Sequence, residues 1–328
     1  VKRAGFFQEY GVLVAFVLLF AVAAIRFPDS FLHADNLRNL LSQNAYVGII
    51  AIGMTFVIIS GGIDLSVGSL VALCGAAAVL SVNKVGDSGP FLVAALAAGL
   101  ASGAIAGFAN GAIVAFGRVA PFVVTLAGLA GFRSIALVLG QGGEIRSQVK
   151  AFGDFGYDGI PIPGLVNLGG KPVVLYWSTL SFLAVALLGG FLLNKTRYGR
   201  HVIAVGANEK AARYSGIDTR WVKVWTYTLL GALVGLAAFF NSARMNSVGT
   251  GSVGLYYELD AIAAVVIGGT SLAGGKGRIW GTVVGVLLLT LIGMLLNLYK
   301  VDPNWQGAVR GAVILVAVLL QRSTKPEN

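Results

Sequence analysis

Charged side chains are scarce in this sequence. Asp, Glu, Lys and Arg make up 12% of its 328 residues, against roughly 25% in a soluble domain. That excludes a water-soluble globule, because too few polar groups remain to cover the surface. Cysteine occurs once, as Cys74, which excludes an internal disulfide. Inside an apolar run it reads as a packed thiol rather than a reactive one. The two histidines, His33 and His201, fall in different loops, so no metal-ligand cluster is expected. Nucleotide motifs are missing as well. The run "GGTSLAGGKGRIWG" (268–281) has the glycine content of a phosphate cradle. Aligned on Lys276, a P-loop needs glycine where Thr270 stands and a hydroxyl where Gly277 stands. A dinucleotide fingerprint fails at Trp280. The run is instead expected to be a tight turn between two membrane spans. Gly268, Gly269, Gly274, Gly275 and Gly277 permit the bend, and Lys276 and Arg278 hold it on the inner side.

Apolar side chains fill the composition: 56% of residues are hydrophobic, 46 are glycine, and the mean hydropathy is +0.82. The natural solvent for such a chain is lipid. Uncharged windows long enough to cross as helices run over Asn39–Ile63, Leu65–Asn83, Ser88–Gly117, Pro172–Asn194, Val224–Ala243 and Ile279–Tyr299, since about 20 apolar residues span the hydrocarbon. Shorter or interrupted windows are Tyr10–Ile25, Val119–Gly140, Asp260–Leu272 and Gln306–Gln321. The expected fold is an all-α polytopic membrane protein of about ten helices, a single transmembrane domain over residues 1–328. "AAIRFP" follows residues 10–25 without a small-residue cleavage pattern, so that run reads as a span rather than a signal peptide.

Orientation follows from the basic residues. With Lys2 and Arg3 inside and the spans alternating, the internal loops hold Arg118, the block 195–223 with seven Lys and Arg, Lys276, Arg278, Arg322 and Lys325. The external loops are "PDSFLHADN", "NKVGDSGP" and the long segment 141–171, where acids and bases mix. Short basic loops stay in the cytoplasm, so both termini are expected inside. The net charge of +10 then reflects orientation rather than nucleic-acid binding.

Within the spans, "GLASGAIAGFANG" sets Gly99, Gly103, Gly107 and Gly111 on one helical stripe, and Gly231/Gly235 and Gly281/Gly285 repeat the spacing. Small residues let helices approach closely where lipid supplies little drive for association. Asp64, Arg133, Asp260 and Arg310 lie in or beside apolar runs, where charge is costly and faces a cavity or a partner. Asp64 is placed to cap the helix starting at Leu65. Arg133 and Arg310 are open to pairing with Asp64 or Asp260. Glu258 and Asp260 stand near a helix start, which disfavours a carboxylate relay at mid-membrane. "VIISGGIDLS" (57–66) and "VVIGGTSLAG" (265–274) leave apolar runs through the same Gly-Gly turn. In the block 195–223, "NEKAARYSG" reads as a short helix with Asn208 as N-cap, Glu209 in the first turn and Gly216 at the C-cap. Its body is Lys210, Ala211, Ala212, Arg213, Tyr214 and Ser215. Alone it is too short to persist. It is either a surface helix or a docking element for a soluble partner.

Four stretches carry a resemblance: "IAIGMTFVIISGGIDLSVGSLVAL" (50–73), "GRVAPFVVTLAGLAGFRSIALV" (117–138), "TRYGRHVIAVGANEKAARYSGI" (196–217) and "YELDAIAAVVIGGTSLAGGKGRIWGTVVG" (257–285). In this order they resemble the permease subunit of ATP-binding-cassette sugar importers of the ribose type, over about Asn36 to Gln321. The resemblance implies the ten-helix importer fold that carries vitamin B12, both termini inside, in a bacterial inner membrane. It implies a second permease copy or paralogue, a cytoplasmic ATPase that binds the ATP and magnesium this chain does not, and an external sugar-binding protein. The helix Glu209–Ser215 then matches the coupling segment. Ser60–Ser69, with Gly61, Gly62, Asp64, Ser66 and Gly68, is the clearest signature. Asn44, Thr55, Asn110, Thr125 and Asn297, polar residues inside apolar spans, are candidates for the path of a neutral polyol, or for hydrogen bonds to neighbouring helices. The rival readings are a sister permease for nucleosides or branched amino acids, a secondary transporter or channel, and a membrane scaffold.

Overall fold

Apolar segments in lipid close their backbone hydrogen bonds within themselves, and the helix does this at every residue. The computed structural model describes residues 2–166, 170, 172–302, 305–309, 311, 312 and 315. In chain order the elements are α1 (Lys2–Arg26), α2 (Pro28–Phe31), α3 (Ala34–Ser42), α4 (Ala45–Ile59), α5 (Val67–Val85), α6 (Phe91–Phe116) and α7 (Pro121–Leu139). Then come β1 (Glu144–Arg146), α8 (Lys150–Phe155), β2 (Gly159–Val166), β3 (Pro172–Tyr176) and α9 (Trp177–Lys195). The chain continues through α10 (Arg197–Ala207), α11 (Glu209–Tyr214), α12 (Thr219–Met245), β4 (Ser247–Gly249), α13 (Tyr257–Ile267) and α14 (Ile279–Leu298).

Seven helices among the described residues are long and apolar enough to cross a membrane, with α3 and α4 counted as one. The chain is a multi-pass membrane protein. A further apolar stretch, Gly11–Arg26, belongs to α1. The window Asp260–Leu272 does not form a full span. It becomes α13, 11 residues long, which reaches about 16 Å across a hydrocarbon core of about 30 Å. Gln306–Gln321 and Arg310 lie mostly or wholly outside the described residues.

Helix α4 is the axis of the bundle. Its sequence AYVGIIAIGMTFVII is apolar all round, and every one of its residues is buried, as expected for a helix with no polar face. Phe182 of α9 packs where a Cβ on Gly48 would sit, and Leu230 of α12 does the same at Gly53.

The glycine stripes of α6 and α12 pack on each other. A Cβ on Gly103 would collide with the carbonyl oxygen of Gly231, one on Gly99 with that of Gly235, and one on Gly107 with that of Tyr227. The collisions are mutual, since a Cβ on Gly231 would strike Gly103 and one on Gly235 would strike Gly99. The third pair behaves alike: Gly281 meets the backbone of Gly268, and Gly285 that of Ala264, so α14 lies against α13 without side chains between them.

The expectation of helices alone is corrected by two short antiparallel strand pairs. β1 pairs antiparallel with β4, with Glu144 opposite Gly249, and β2 pairs antiparallel with β3, with Gly159 opposite Tyr176. These strands fall outside the helices long and apolar enough to span, so their backbone groups pair between strands instead. The block 195–223 is also more helical than expected. α10 precedes the short helix, with Thr196 Oγ1 accepting from Gly199 N at 3.2 Å.

The seam predicts the behaviour of Gly103. Gly103→Ala is expected to lower stability by about 1–3 kcal/mol through overpacking, and Gly103→Leu to prevent a stable fold. Gly190→Ala, where nothing lies within 4 Å of an added Cβ, is the neutral control. Thermal unfolding in detergent checks all three; an unchanged midpoint for Gly103→Leu would show that the stripe is not an interface.

Candidate coupling and translocation site

One end of the molecule carries a helical foot, α10 and α11. Asn208 sits between them and caps α11, its Oδ1 accepting from Ala211 N at 3.0 Å. The helix stops at Ser215 because Gly216 turns left-handed (φ 83°) and Ile217 N returns to Ala212 O at 3.1 Å. Ala212 is buried, whereas Tyr214 is 90% exposed. Asp218 then starts α12, accepting from Arg220 N and Trp221 N. Lys223 on α12 ties the foot down through Glu209, 2.7 Å away. Partial burial pushes the Glu209 carboxyl up, but the Lys223 ammonium outweighs it and holds the group below its ordinary value of 4.5. The pairing is therefore intact above that value and is lost as the pH falls through the lowered one. A cavity of about 800 Å³ opens between the foot and the α6–α7 corner, and Arg118, Lys210, Arg213 and Arg220 line it around the Glu209–Lys223 pair.

The foot is rooted in glycine. A Cβ on Gly206, next to the last residue of α10, would collide with Ile59 O at the end of α4 and crowd Gly275 N. Gly275 N donates to Ile59 O at 2.8 Å. Gly274, at φ 82°, packs on the backbone of Gly61 and Gly206. The two Gly-Gly turns thus meet at the root of the foot, and they are built alike. Gly61 N bonds Ile58 O at 3.0 Å and Gly62 N bonds Val57 O at 2.9 Å; Gly269 N bonds Val266 O at 2.9 Å and Thr270 N bonds Val265 O at 3.1 Å. Both first donors are left-handed glycines, Gly61 at φ 86° and Gly269 at φ 89°. This double closure leaves few free carbonyls at a helix end. Lys276 O then accepts from Ser271 N at 3.0 Å, folding 271–276 into a hairpin. A Cβ on Gly277 would crowd Ile59 and Thr270, and one on Gly268 would strike Gly281, so most of the glycine run is close packing, while Gly269 has open space and serves the turn through its left-handed backbone.

Beyond Gly62, the chain turns back into the bundle before α5 begins. Tyr227 OH reaches Ile63 O at 3.4 Å. Asp64 is buried, and its Oδ1 accepts from Ser66 N at 2.7 Å and Ser66 Oγ at 2.6 Å. Asn110 on α6 donates to Ser66 Oγ at 3.1 Å. Asp64 therefore holds the entry to α5 through one residue rather than capping Leu65 directly. Gly68 packs on Gly254 and on the Glu258 carboxylate.

The five polar candidates in the spans are dispersed. Asn44 donates to Thr290 at 2.8 Å and lines, with Asp260, a cavity of about 10 Å³, room for one water. Thr55 and Thr282 share a buried bond at 2.8 Å. Thr125 donates to Pro121 O at 3.0 Å on its own helix, and Asn297 accepts from Gln306 at 2.9 Å. Asn110 joins the Asp64 network, and Thr125 reaches Ile63 O beside it at 3.5 Å. Arg133 meets neither aspartate; its Nη1 donates to Thr250 O at 2.8 Å and Val253 O at 2.9 Å. No sequence signal announces that pairing, since any residue supplies a carbonyl.

Comparisons with known proteins agree over almost the whole chain. The family model described as branched-chain amino acid transport system / permease component matches residues 36–318. The ribose import permease protein RbsC of Escherichia coli K12 is 42% identical over 314 residues, 95% of this chain and 93% of that protein. RbsC of Bacillus subtilis 168 is 42% identical over 323 residues, covering 97% and 94%. The xylose transport system permease protein XylH of Haemophilus influenzae Rd is 34% identical over 367 aligned positions, 97% of each chain.

Removing the Asp64 carboxylate strands the Ser66 amide and hydroxyl. Asp64→Ala is expected to cost about 1–3 kcal/mol, and Asp64→Asn less, because the amide oxygen still accepts. Thermal unfolding of the purified chain measures the difference. Equal midpoints for wild type and Asp64→Ala would remove the network from any structural role.

Proposed function

This chain belongs to the family of branched-chain amino acid transport system / permease components, and from that premise we propose that it is the transmembrane permease of an ATP-driven monosaccharide importer. The observation that carries the sugar assignment is identity of 42% and 34%, nearly end to end, to permeases for ribose and xylose. It favours a pentose or a related hexose over nucleosides and branched-chain amino acids. A neutral sugar needs no carboxylate relay, which fits a permease powered from outside. The chain is a transport subunit, not an enzyme.

In this reading the chain is a single domain of ten membrane segments in the vitamin B12 importer arrangement, with both termini in the cytoplasm of a bacterial cell. The segments are α1, α3–α4, α5, α6, α7, α9, α12, the half-length α13, α14 and the window Gln306–Gln321. Two copies, or this chain and a paralogue, enclose the path. A cytoplasmic ATPase pair binds ATP and magnesium and grips the foot at Lys210, Arg213 and Tyr214. A sugar-binding protein docks outside on 141–176.

The glycine junction supplies the transmission. When the ATPases close, α11 moves, and Gly206 presses directly on Ile59 O and Gly275. With no side chain between the foot and these backbones, little of the displacement is absorbed on the way. It reaches α4 and the α13–α14 pair together, and the glycine turns at 61–62 and 274–277 take up the dihedral change.

Reconstitution tests the reading. Proteoliposomes holding this permease, its ATPase and a loaded binding protein are expected to take up ribose only with ATP, and the permease alone to take up none. Glu209→Arg combined with Arg213→Glu should lower co-purification with the ATPase while membrane insertion stays intact. Uptake by the permease alone would make it a secondary transporter.

A further inference from the structure

Between β4 and α13 the backbone descends into the bundle without forming a helix. Thr250 lies at the outer end of α7, where its hydroxyl donates to Gly143 O at 2.7 Å and its side chain packs on Gly140. Four residues later Gly254 presses backbone to backbone on Gly68, at the start of α5. That start lies deep, since Ser66 packs on Gly128, well inside α7. Residues 250–254 thus run from the outer rim to the middle of a membrane-spanning helix. Irregular backbone persists at that depth only where protein buries it or a water-filled cavity bathes it.

The segment divides between these two cases. Gly254 is buried, and the carbonyls of Thr250 and Val253 are held by Arg133. Gly251, Ser252, Leu255 and Tyr256 are exposed, Tyr256 to 68%. Tyr256 is also left-handed, at φ 67°. A non-glycine residue in that region costs about 1–3 kcal/mol and persists where its surroundings impose it. Here they do: Tyr257 N returns to Gly254 O at 3.2 Å, and Asp260 N bonds Tyr256 O at 3.0 Å to open α13.

The geometry points to residues 250–256 as a wall of the sugar path, with Ser252 and Tyr256 meeting the sugar and Arg133 positioning the wall. This deepens the importer reading and rests on it. A monosaccharide presents hydroxyl edges and an apolar C–H face. Tyr256 offers a ring for the face and a hydroxyl for an edge, and Ser252 adds a second hydroxyl. Arg133 has spent one nitrogen on two backbone carbonyls, and the acidic Glu258 lies near enough to interact with its charge. The wall is therefore polar without strong net charge, which lets a neutral solute bind weakly and move on. Lipid would satisfy the ring but not Ser252 or the open backbone of Gly251.

The test uses the assembled complex with its ATPase in proteoliposomes. Cys74, the chain's single cysteine, is buried, so Ser252→Cys supplies one reachable thiol. A hydrophilic maleimide is expected to label it, and ribose delivered by the binding protein to slow the labelling. Tyr256→Asn tolerates the left-handed backbone but removes the ring; it should lower ribose transported per ATP hydrolysed several-fold, and Tyr256→Phe less. Arg133→Lys should lower the same ratio, because an ammonium does not hold both carbonyls in one plane. Labelling confined to the isolated chain, and absent in the assembled complex, would place the segment under a second copy and overturn the proposal. So would wild-type transport by Tyr256→Asn. A wild-type complex that takes up no ribose would instead overturn the importer reading, while labelled Ser252→Cys would still support an aqueous wall.

Discussion

A backbone amide inside a membrane has to find its partner within the protein, and the architecture of this chain is a set of answers to that demand. Regular helix answers it along most of the sequence. The informative places are the interruptions: the turn after α4, the hairpin at 271–276, and the descent after β4. At each one, a specific donor or acceptor from elsewhere in the chain stands in for the missing helical bond. Gly275 N serves Ile59 O, Asp64 serves the amide of Ser66, and Arg133 serves Thr250 and Val253. These substitutions explain why charges rare in the composition sit where they do.

Glycine solves the complementary problem of cohesion. Lipid gives helices little reason to separate from it, so association depends on contact distance. The α6–α12 seam and the α13–α14 pair bring backbones together directly. The same closeness at Gly206 makes the foot continuous with the bundle. In the proposed cycle this rigidity is what lets a short cytoplasmic helix act at the end of α4.

Local features are the legible ones in this sequence. Asn208 and Gly216 mark the ends of α11 because capping is decided by a residue and its neighbours three or four places away. Likewise the four-residue spacing at 99–111 announces a contact face. It does not announce the partner, since Gly231 and Gly235 match it only once both helices are placed. The family itself is legible in four motifs, and the comparisons bear it out. Less legible is anything held by a carbonyl. Arg133 invites an acidic partner and takes two backbone oxygens instead. Composition also misplaces α13, because apolar residues do not say that the helix opens at Tyr257, ahead of the apolar window, and closes at Ile267 through left-handed Gly269. β1 leaves no local mark for a related reason, since its partner β4 (Ser247–Gly249) lies far along the chain from Glu144–Arg146.

The carbonyl of Ile59 has a consequence for how the molecule is made. Its partner, the amide of Gly275, is synthesised much later, after α5 through α13. A ribosome delivering this chain to the membrane therefore inserts α4 with its C-terminal tip unfinished. That carbonyl lacks this partner until the hairpin at 271–276 is made and closes over it. Products ending before that hairpin lack the closure altogether.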